Sequence, residues 1–379
     1  MTRYFIPLTL FLLGCFAVIS QLSGSQPPVV AEISLQEALS DQSGRFAKVE
    51  PGRTFDFPTD HGPHREFKTE WWYFTGNLKN DKGEHFGYQI TLFRVGNLPP
   101  GSPENPSQWA AQSLFMGHIG LSDPARGKFY TRERLAREGV GLAGATENGK
   151  QIWLEDWEIR RLAEGWGLTA RSDDLSLELT LTDVKPPTLQ GDSGYSRKGP
   201  EERHASYYVS QTRLQTEGTL KIQDQMHSVS GTSWFDHDWS YEAMAEGLVG
   251  WEWFSLQFDD QTELMLYLLR YKDGRLEPAS SGVLVGADGN KENLSLDQFQ
   301  VKKLSETTVT SGNRYPSEWR ITVPSEQLEI QVRPTMAEQE MTGRVPYWEG
   351  AVVITGERAG EAVSGRGFVE LTGYTERQD

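Results

Sequence analysis

The sequence has a single cysteine, Cys15, so no disulfide can form within one chain and a thiol pair for redox chemistry is missing. A phosphate-binding P-loop pattern is also missing, and nothing in the sequence calls for a cofactor. The formal net charge is -16 at pH 7, which argues against sequence-independent binding to nucleic acid phosphates. Long stretches of helical periodicity are absent as well.

Tryptophan, in contrast, is abundant: the chain has 12, and ten of them lie between Trp71 and Trp253. Large aromatic side chains fill the interiors of β-barrels and line apolar pockets, so this composition is typical of both a core and a ligand cavity. The length of 379 residues is that of two domains preceded by a leader.

The first 20 residues have the pattern of an export signal, because a positive charge precedes an apolar run over residues 4–20 that is short for a membrane-spanning helix. Within this run, residues 12–15 (LLGC) resemble a lipobox, in which Cys15 receives a lipid anchor. The alternative is that Cys15 is an apolar filler and that cleavage falls near residues 20–25. Both interpretations predict an exported protein of the periplasm or cell envelope, anchored to the membrane if Cys15 is lipidated.

Two stretches of the chain are typical of equivalent β-hairpins. Residues 71–78 and 85–94 are aromatic or alternately apolar, and a turn at residues 80–83 (NDKG) joins them. Residues 250–258 and 263–270 repeat the order Trp-x-x-Phe, acidic turn, strand and terminal Arg. The repeat predicts two domains of similar fold.

Short strands recur along the whole chain, and barrel closure is the usual solution because it removes unpaired strand edges. We therefore predict an all-β protein with two antiparallel β-barrel domains packed side by side. We place a tether over residues 21–57, the N-terminal barrel over 58–236 and the C-terminal barrel over 237–379. A barrel of about eight strands holds either its own side chains or one small ligand.

Four blocks resemble signature blocks of the AttH-like, carotenoid 1,2-hydratase-related proteins: residues 70–76 (EWWYFTG), 191–199 (GDSGYSRKG), 234–240 (WFDHDWS) and 250–255 (GWEWFS). The resemblance implies lipocalin-like barrels of the calycin type. It also implies a superfamily whose characterised members hydrate an isolated carbon–carbon double bond without a cofactor. Exported members of that superfamily are thought to accompany an exporter-type membrane complex of the ABC class.

The strongest candidates for chemistry lie in residues 236–239 (DHDW). Hydration of an alkene requires a proton donor, a shielded site for the carbocation and a base that activates water. Alternation along a strand places Asp236 and Asp238 on one face, and His237 and Trp239 on the other. The resemblance gives weight to His237 and Trp239, since the hydratases carry a His-x-Trp pair at the matching positions.

Acidic, basic and aromatic side chains near this motif divide the work of the predicted reaction among them. The assignments are His237 or Glu252 as proton donor, Asp236 or Asp238 as base or orienting group, and Trp239, Trp251 and Trp253 as the shield of the cation. The competing interpretation is structural, with the Asp and His side chains of an interdomain linker bound to loop backbones.

A second group of candidates for ligand binding lies in the first half of the chain. Its members are Glu70, Trp71, Trp72, Tyr73 and His118. The competing interpretation of Glu70 is a buried ion pair with Arg94 at the far end of the same hairpin, repeated by Glu252 and Arg270 in the second half. His118 alternates with apolar residues and is either a core histidine or a ligand contact.

Two further motifs carry weaker signals. Residues 191–194 (GDSG) match the nucleophile block of trypsin-like proteases, but this composition is also ordinary turn chemistry, and a hydrolase would need a histidine within hydrogen-bond reach of Ser193. His61 and His64 form a close pair on a Gly-Pro loop. Without a third ligand nearby in sequence we favour an exposed loop over a metal site, and we predict no metal.

These observations predict an exported protein that binds an apolar or amphipathic small molecule, such as a lipid, polyene or polyketide, and transforms it by acid-catalysed hydration if it is an enzyme. The first alternative is a non-catalytic accessory lipoprotein of an ABC-type transport complex. A secreted hydrolase acting through Ser193 is the second. Two acids that converge on one apolar pocket would favour the enzyme, whereas dry barrels filled by their own tryptophans would favour the accessory role.

Overall fold

The computed structural model describes residues 45–101, 111–241 and 245–374, so the predicted signal segment and Cys15 lie outside the described part of the chain. The first sheet has thirteen strands. They are β1 (Thr69–Asn80), β2 (His85–Gly96), β3 (Ser113–Asp123), β4 (Lys128–Arg137), β5 (Ala143–Ala145), β6 (Gln151–Leu154), β7 (Trp157–Leu162), β8 (Gly165–Arg171), β9 (Leu175–Asp183), β10 (Thr188–Leu189), β11 (Tyr195–Arg197), β12 (Ala205–Ile222) and β13 (Gln225–Ser240).

The second sheet has ten strands. They are β14 (Leu248–Phe258), β15 (Glu263–Tyr271), β16 (Ser281–Val285), β17 (Lys291–Ser295), β18 (Gln300–Thr308), β19 (Arg314–Val323), β20 (Leu328–Pro334), β21 (Glu340–Met341), β22 (Tyr347–Arg358) and β23 (Glu361–Leu371). Short 3-10 helices span Thr59–His61, Leu296–Gln298 and Pro324–Glu326. Within the described ranges, no helix has both the length and the apolar character needed to cross a membrane.

Each sheet is antiparallel and brings its last strand back to its first. In the first sheet β13 lies between β1 and β12, and in the second β23 lies between β14 and β22. The two predicted hairpins are confirmed as β1–β2 and β14–β15, and each opens its sheet. The internal repeat therefore reflects two sheets with the same starting arrangement.

Apolar side chains fill the interior of both sheets. Trp72, Trp157 and Trp166 are fully buried in the core of the first sheet, and Trp319 and Trp348 are fully buried in the core of the second. A third apolar cluster lies between the sheets and takes residues from both. The predicted all-β fold with two lipocalin-like, barrel-like sheets side by side is thus confirmed.

The strands that face the third cluster are buried on both of their faces. β9, which has one solvent-exposed face, alternates Leu with polar residues, whereas β1 is buried at ten of its twelve positions. Two-sided burial explains why four aromatic residues follow one another over residues 71–74 of β1, and two over residues 253–254 of β14, without alternating with polar residues.

The chain segment before β1 packs against the first sheet. Residues 45–57 fall in the predicted tether, yet Phe46 and Val49 are buried, and the Phe55 ring lies 5.9 Å from that of Trp239. The apolar side chains in this segment explain its docking, because they bury area that a solvated tether would leave in water.

Candidate functional site

A cavity of about 150 Å³ lies between the two sheets and is partly open to solvent. A volume of this size holds a molecule about as large as one aromatic ring. Its lining is mainly aromatic, with a few ionisable groups. The lining residues are Trp71, Tyr73, Thr91, Phe93, Met116, His118, Lys198, Tyr208, Asp236, Asp238, Trp251, Trp253, Tyr267, Val345, Tyr347, Glu370 and Thr372.

Strand alternation selects which residues of the two hairpins reach this cavity. On β1, Trp71 and Tyr73 face it, whereas Trp72 is buried in the core of the first sheet. On β14, Trp251 and Trp253 face it. The repeat therefore places its tryptophan-rich strands on opposite walls of one cavity, with the rings of Tyr73 and Trp253 in edge contact at 5.2 Å.

Asp236 is a buried carboxyl group held by three donors. The Tyr208 hydroxyl donates to Oδ2 at 2.5 Å, and the Ser210 hydroxyl and the Trp234 indole N–H donate to Oδ1 at 2.5 and 2.7 Å. Burial outweighs these hydrogen bonds and raises the pKa of Asp236 to about 7. The Tyr208 hydroxyl also accepts the Trp253 indole N–H at 3.0 Å, so the network connects both sheets.

Asp238 lies two residues further along the same face, beside the buried Lys198. The Ser206 hydroxyl donates to Asp238 Oδ2 at 2.5 Å, and Lys198 Nζ lies 3.8 Å from the same oxygen. Burial raises the pKa of Asp238 to about 6, although the Lys198 charge opposes this shift. Burial also lowers the pKa of Lys198, whose ammonium lies over the rings of Tyr208 and Tyr267 at 4.6 and 4.0 Å.

Glu370 brings a third carboxyl group to the cavity from β23 in the opposite sheet. The Trp251 indole N–H donates to Glu370 Oε2 at 2.9 Å, and no described residue donates a hydrogen bond to its Oε1. Burial raises the pKa of Glu370 to about 7. Its cross-strand partner Glu349 accepts the Tyr73 hydroxyl at 2.6 Å, and burial together with the charge of Glu370 raises the pKa of Glu349 well above its usual range.

His118 lines the cavity from β3 and connects the two sheets. Its Nδ1 shares a hydrogen bond of 3.0 Å with the Tyr347 hydroxyl, and its Nε2 lies 3.3 Å from Glu133 Oε2. The same Glu133 oxygen accepts the backbone N–H of Arg344 at 2.9 Å. His118 is therefore both a satisfied histidine and a wall of the cavity.

A second ionisable cluster lies behind β1, away from the cavity. Glu70 is fully buried, its Oε2 accepts Arg94 Nε at 3.0 Å, and its Oε1 is 2.8 Å from His64 Nδ1 and 3.0 Å from His237 Nε2. His64 Nε2 lies 3.0 Å from Asp60, and hydrogen bonds to the two carboxylates outweigh burial and raise the pKa of His64. The predicted Glu70–Arg94 ion pair is confirmed.

Three side chains of this cluster have the geometry of metal ligands, since ligand atoms of His64, Glu70 and His237 lie within 4.8 Å of one another. A cation there would compete with the Arg94 guanidinium and with the proton on His64. The expectation that His61 and His64 lie on an exposed loop is wrong, because both are buried and the Glu70 carboxylate draws His64 inward.

The candidates from sequence thus divide between two places. The cavity receives Asp236, Asp238, Trp71, Tyr73, His118, Trp251 and Trp253. Glu70, Trp72, His237 and Trp239 lie behind β1 instead, where the Trp239 ring stacks on His64 at 3.8 Å. His237, one of the two predicted proton donors, faces Glu70 because it alternates with Asp236 along β13.

Glu252, the other predicted donor, also points away from the cavity. It lies 3.3 Å from Arg270 Nε and 2.7 Å from Lys303 Nζ, and it accepts the Tyr374 hydroxyl at 2.5 Å. The predicted Glu252–Arg270 pair is confirmed, but it is not equivalent to Glu70–Arg94. The cross-strand partner of Arg270 is Gly250, so Glu252 reaches it diagonally.

The GDSG motif lies in an exposed turn. Ser193 has a φ of 53° and its hydroxyl donates to neighbouring Asp192 at 3.4 Å, and no histidine within the described ranges makes a hydrogen bond to it. Residues 139–144 (GVGLAG) have the glycine spacing of a dinucleotide fingerprint, but they lead into β5 and not into a helix, so the helix N-terminus that would hold a phosphate is missing there.

Sequence reasoning overlooked Glu370, Lys198 and Tyr208. The signal for Glu370 is a carboxylate between the apolar residues Val369 and Leu371 of a strand. Lys198 lies in the signature block 191–199, next to the charged residue Arg197 and among turn residues. That setting gives no indication that Lys198 is buried. Only the approach of the two sheets brings these groups to Asp236 and Asp238.

The AttH-like family model matches residues 48–374. A crystal structure assigned as an AttH from Nitrosomonas europaea is 35% identical, with a TM-score of 0.78, and the match covers 87% of this chain and 100% of that one. Kievitone hydratase from Nectria haematococca is 13% identical, with a TM-score of 0.62 and coverage of 89% and 97%. CghA with Sch210972 is 12% identical, with a TM-score of 0.50 and coverage of 82% and 90%. Among proteins with curated descriptions, none matches this chain.

Proposed function

The chain belongs to the AttH-like family, and from that premise we propose that its inter-sheet cavity binds an apolar or amphipathic unsaturated molecule and adds water across a carbon–carbon double bond by acid–base catalysis. One observation carries the proposal. Carboxyl groups from both sheets, Asp236 and Asp238 on one side and Glu370 on the other, converge on a single aromatic-lined cavity, with pKa values raised toward neutrality.

Glu370 is the proton donor in this proposal. Its raised pKa keeps a substantial fraction protonated near pH 7, and its Oε1 accepts no hydrogen bond from the described residues, so it is available to a ligand. Protonation of one alkene carbon leaves positive charge on the other. Trp71, Trp251 and Trp253 line the cavity where that charge develops, and the face of an aromatic ring attracts a cation.

Asp238 is the base. Its pKa of about 6 leaves it mostly ionised at pH 7, and Lys198 favours the anion. As the water oxygen forms a bond to the second carbon, Asp238 accepts the proton that water loses. The cycle closes when a proton passes from Asp238 back to Glu370, and Asp236 lines the same cavity as both of these carboxyl groups.

Kievitone hydratase, one of the structural neighbours, supports the proposed hydration. The support is limited to the fold, because that protein is only 13% identical to this chain. The range of possible ligands narrows to molecules whose reactive part is about the size of one ring, because the cavity measures about 150 Å³. A longer lipid or polyene tail would extend through the open side of the cavity.

Incubation of the purified protein with the apolar extract of the cells that make it, in ¹⁸O-labelled water, tests the proposal. Mass spectrometry should find an extract component that gains one labelled water with the wild type and does not with Glu370→Gln or Asp238→Asn. Loss of activity of ~10²–10⁴-fold is expected, since each variant removes one partner of general acid–base catalysis.

The same assay separates this assignment from the one made on sequence. If Glu252→Gln abolishes water addition while Glu370→Gln retains it, the reaction does not take place in the inter-sheet cavity. If no component gains labelled water with the wild type, the hydratase proposal fails and a carrier role for the cavity replaces it.

We further propose that the protein is exported and anchored through Cys15, as the lipobox-like residues 12–15 suggest. A lipid anchor would hold the cavity near the membrane, where apolar molecules are concentrated. The accessory role beside an ABC-type transporter is compatible with this location and is the alternative if the cavity proves to be non-catalytic.

A further inference from the structure

Lys198 is a buried cation whose Nζ lies 3.8 Å from Asp238, so among the described residues its donors are only weakly satisfied. Its side chain is 5% exposed, and its ammonium contributes to the cavity wall. Among the described residues, Asp238 Oδ2 lies 3.8 Å from its Nζ, the charge of Asp236 also acts on it, and its ammonium lies over the rings of Tyr208 and Tyr267. A buried ammonium has three N–H donors, and leaving them without acceptors is unfavourable.

The charges around Lys198 restrict what can satisfy it. Asp236, Asp238 and Glu370 already bring three carboxyl groups to the cavity, so an anionic ligand would meet repulsion from each ionised one. A neutral carbonyl oxygen accepts hydrogen bonds without adding negative charge. It therefore suits Lys198 better than a carboxylate does.

We propose that the substrate is an unsaturated carbonyl compound and that Lys198 binds its carbonyl oxygen. This inference rests on the proposed hydration and narrows its substrate class from alkenes in general to those with a carbonyl group beside the double bond. Lys198 then determines specificity, because a hydrocarbon of the same shape leaves its donors unpaired on binding.

The same contact assists the reaction when the carbonyl is conjugated with the double bond. For such a substrate the order of steps given above is reversed, so that water adds before the proton and no carbocation forms. A hydrogen bond from Lys198 draws electron density from the β carbon, and the water oxygen forms its bond there as Asp238 accepts a proton from the water. The π electron pair moves toward the carbonyl to give an enol-like intermediate, and Glu370 supplies a proton to the α carbon. The sum is one water added, with no change in oxidation state overall.

Binding of two matched probes tests the inference. Benzylideneacetone carries one aromatic ring, a double bond and a conjugated ketone, and in its hydrocarbon analogue two hydrogens replace the carbonyl oxygen. Calorimetric titration of the wild type should show a dissociation constant at least about tenfold lower for the ketone, as expected for a hydrogen bond to a charged donor.

Three variants separate the role of the ammonium from that of its carbon stem. Lys198→Met retains the stem and should bind both probes within about twofold of each other, whereas Lys198→Arg retains donors and should keep most of the preference. Lys303→Met is the matched control, because Lys303 pairs with Glu252 away from the cavity, and it should behave as the wild type does. Circular dichroism and melting curves establish that each variant is folded.

Equal or tighter binding of the hydrocarbon by the wild type, or undetectable binding of the ketone, would overturn the inference. A ketone preference that survives in folded Lys198→Met would overturn it too. Labelled-water addition in the cell extract tests the proposed function separately. Ketone preference without water addition to any extract component retains the Lys198 subsite and removes the hydratase, whereas water addition in the extract without ketone preference does the reverse.

Discussion

Glu70 and Arg94 face each other across the first hairpin as cross-strand partners, with Arg94 Nε 3.0 Å from Glu70 Oε2 and both side chains fully buried. Arg94 also donates to the backbone carbonyls of His64 and Phe67, so it fastens the segment before β1 to the sheet. The pair is structural in position, because it lies on the opposite face of β1 from the cavity.

Arg94→Leu should destabilise the protein by about 3–5 kcal/mol, since it leaves the Glu70 carboxylate buried without its cation. Urea denaturation measures the change in the free energy of unfolding. Arg275→Leu is the control, because its ion pair with Asp273 is largely exposed to solvent and its loss should change the stability little. A folded Arg94→Leu protein of normal stability that had lost only ligand affinity would contradict the structural role.

The pH dependence of turnover should be bell-shaped, with its maximum between about pH 6 and 7. Below this range Asp238, with a pKa of about 6, becomes protonated and can no longer accept the proton from water. Above it Glu370, with a pKa of about 7, loses the proton that it donates. Measurement of kcat/KM across pH 4–9 checks the profile, and activity that rises steadily to pH 9 would exclude Glu370 as the donor.

The free energy of unfolding should fall as the pH rises from about 4 to 7, because the buried carboxyl groups of Asp236 and Glu370 titrate in this range. Their folded-state pKa values lie above the unfolded values, so the native state binds more protons in this window and loses that advantage above it. Glu370→Gln removes one titration and should raise the free energy of unfolding at pH 8, relative to wild type, by up to about 3 kcal/mol. Matched melting curves at pH 5 and pH 8 decide the matter, because an equal effect at both would show that Glu370 does not titrate in this range.

At acidic pH, in contrast, stability should be lost because carboxylates with lowered pKa values become protonated. Glu70 and Asp60 have pKa values held well below their usual range, Glu70 by Arg94 and two histidines and Asp60 mainly by His64, both against the effect of burial. Their contribution is present above the unfolded pKa and is lost as the pH falls below it. We expect acid unfolding, measured by circular dichroism, to begin below about pH 4. Asp60→Asn should weaken this dependence of stability on acid. An unchanged acid limb in that variant would argue against the role of Asp60.

Lipidation of Cys15 should be visible as palmitate incorporation in cells that make the protein. Labelled palmitate is expected in the wild type and not in Cys15→Ala, and the mature wild type should begin at residue 15. Cleavage near residues 20–25 without a label would favour the alternative of an ordinary signal peptide.

The local sequence pattern was sufficient to predict the β-strands and to assign side chains to the two faces of each strand. The alternation that separates Asp236 and Asp238 from His237 could be read from sequence because a β-strand has a period of two residues, and the structure follows it. The hairpin ion pairs were predictable for a similar reason, since the ends of a hairpin are neighbours.

Long-range approach of the sheets was not predictable in this way. The packing of the two sheets determines which face of β13 is directed to the interior of its own sheet and which to the other sheet. His237 lies on the face that does not reach the cavity. Glu370 and Asp236 line the same cavity although more than a hundred residues separate them in sequence. No local pattern in the sequence indicates that the two groups lie close together. His64 is buried by an ion cluster that forms only when the segment before β1 docks.

The central claim, that the inter-sheet cavity holds an unsaturated small molecule, is tested most directly by native mass spectrometry of the protein purified from the cells that make it. Thr91→Phe, which places a larger side chain in the cavity wall, is the control. We expect the wild type to carry an added mass that is released only on denaturation, identified as an unsaturated molecule or its hydrated product, and folded Thr91→Phe to carry little or none. A folded wild type without added mass, or the same molecule bound equally to Thr91→Phe, would contradict the claim.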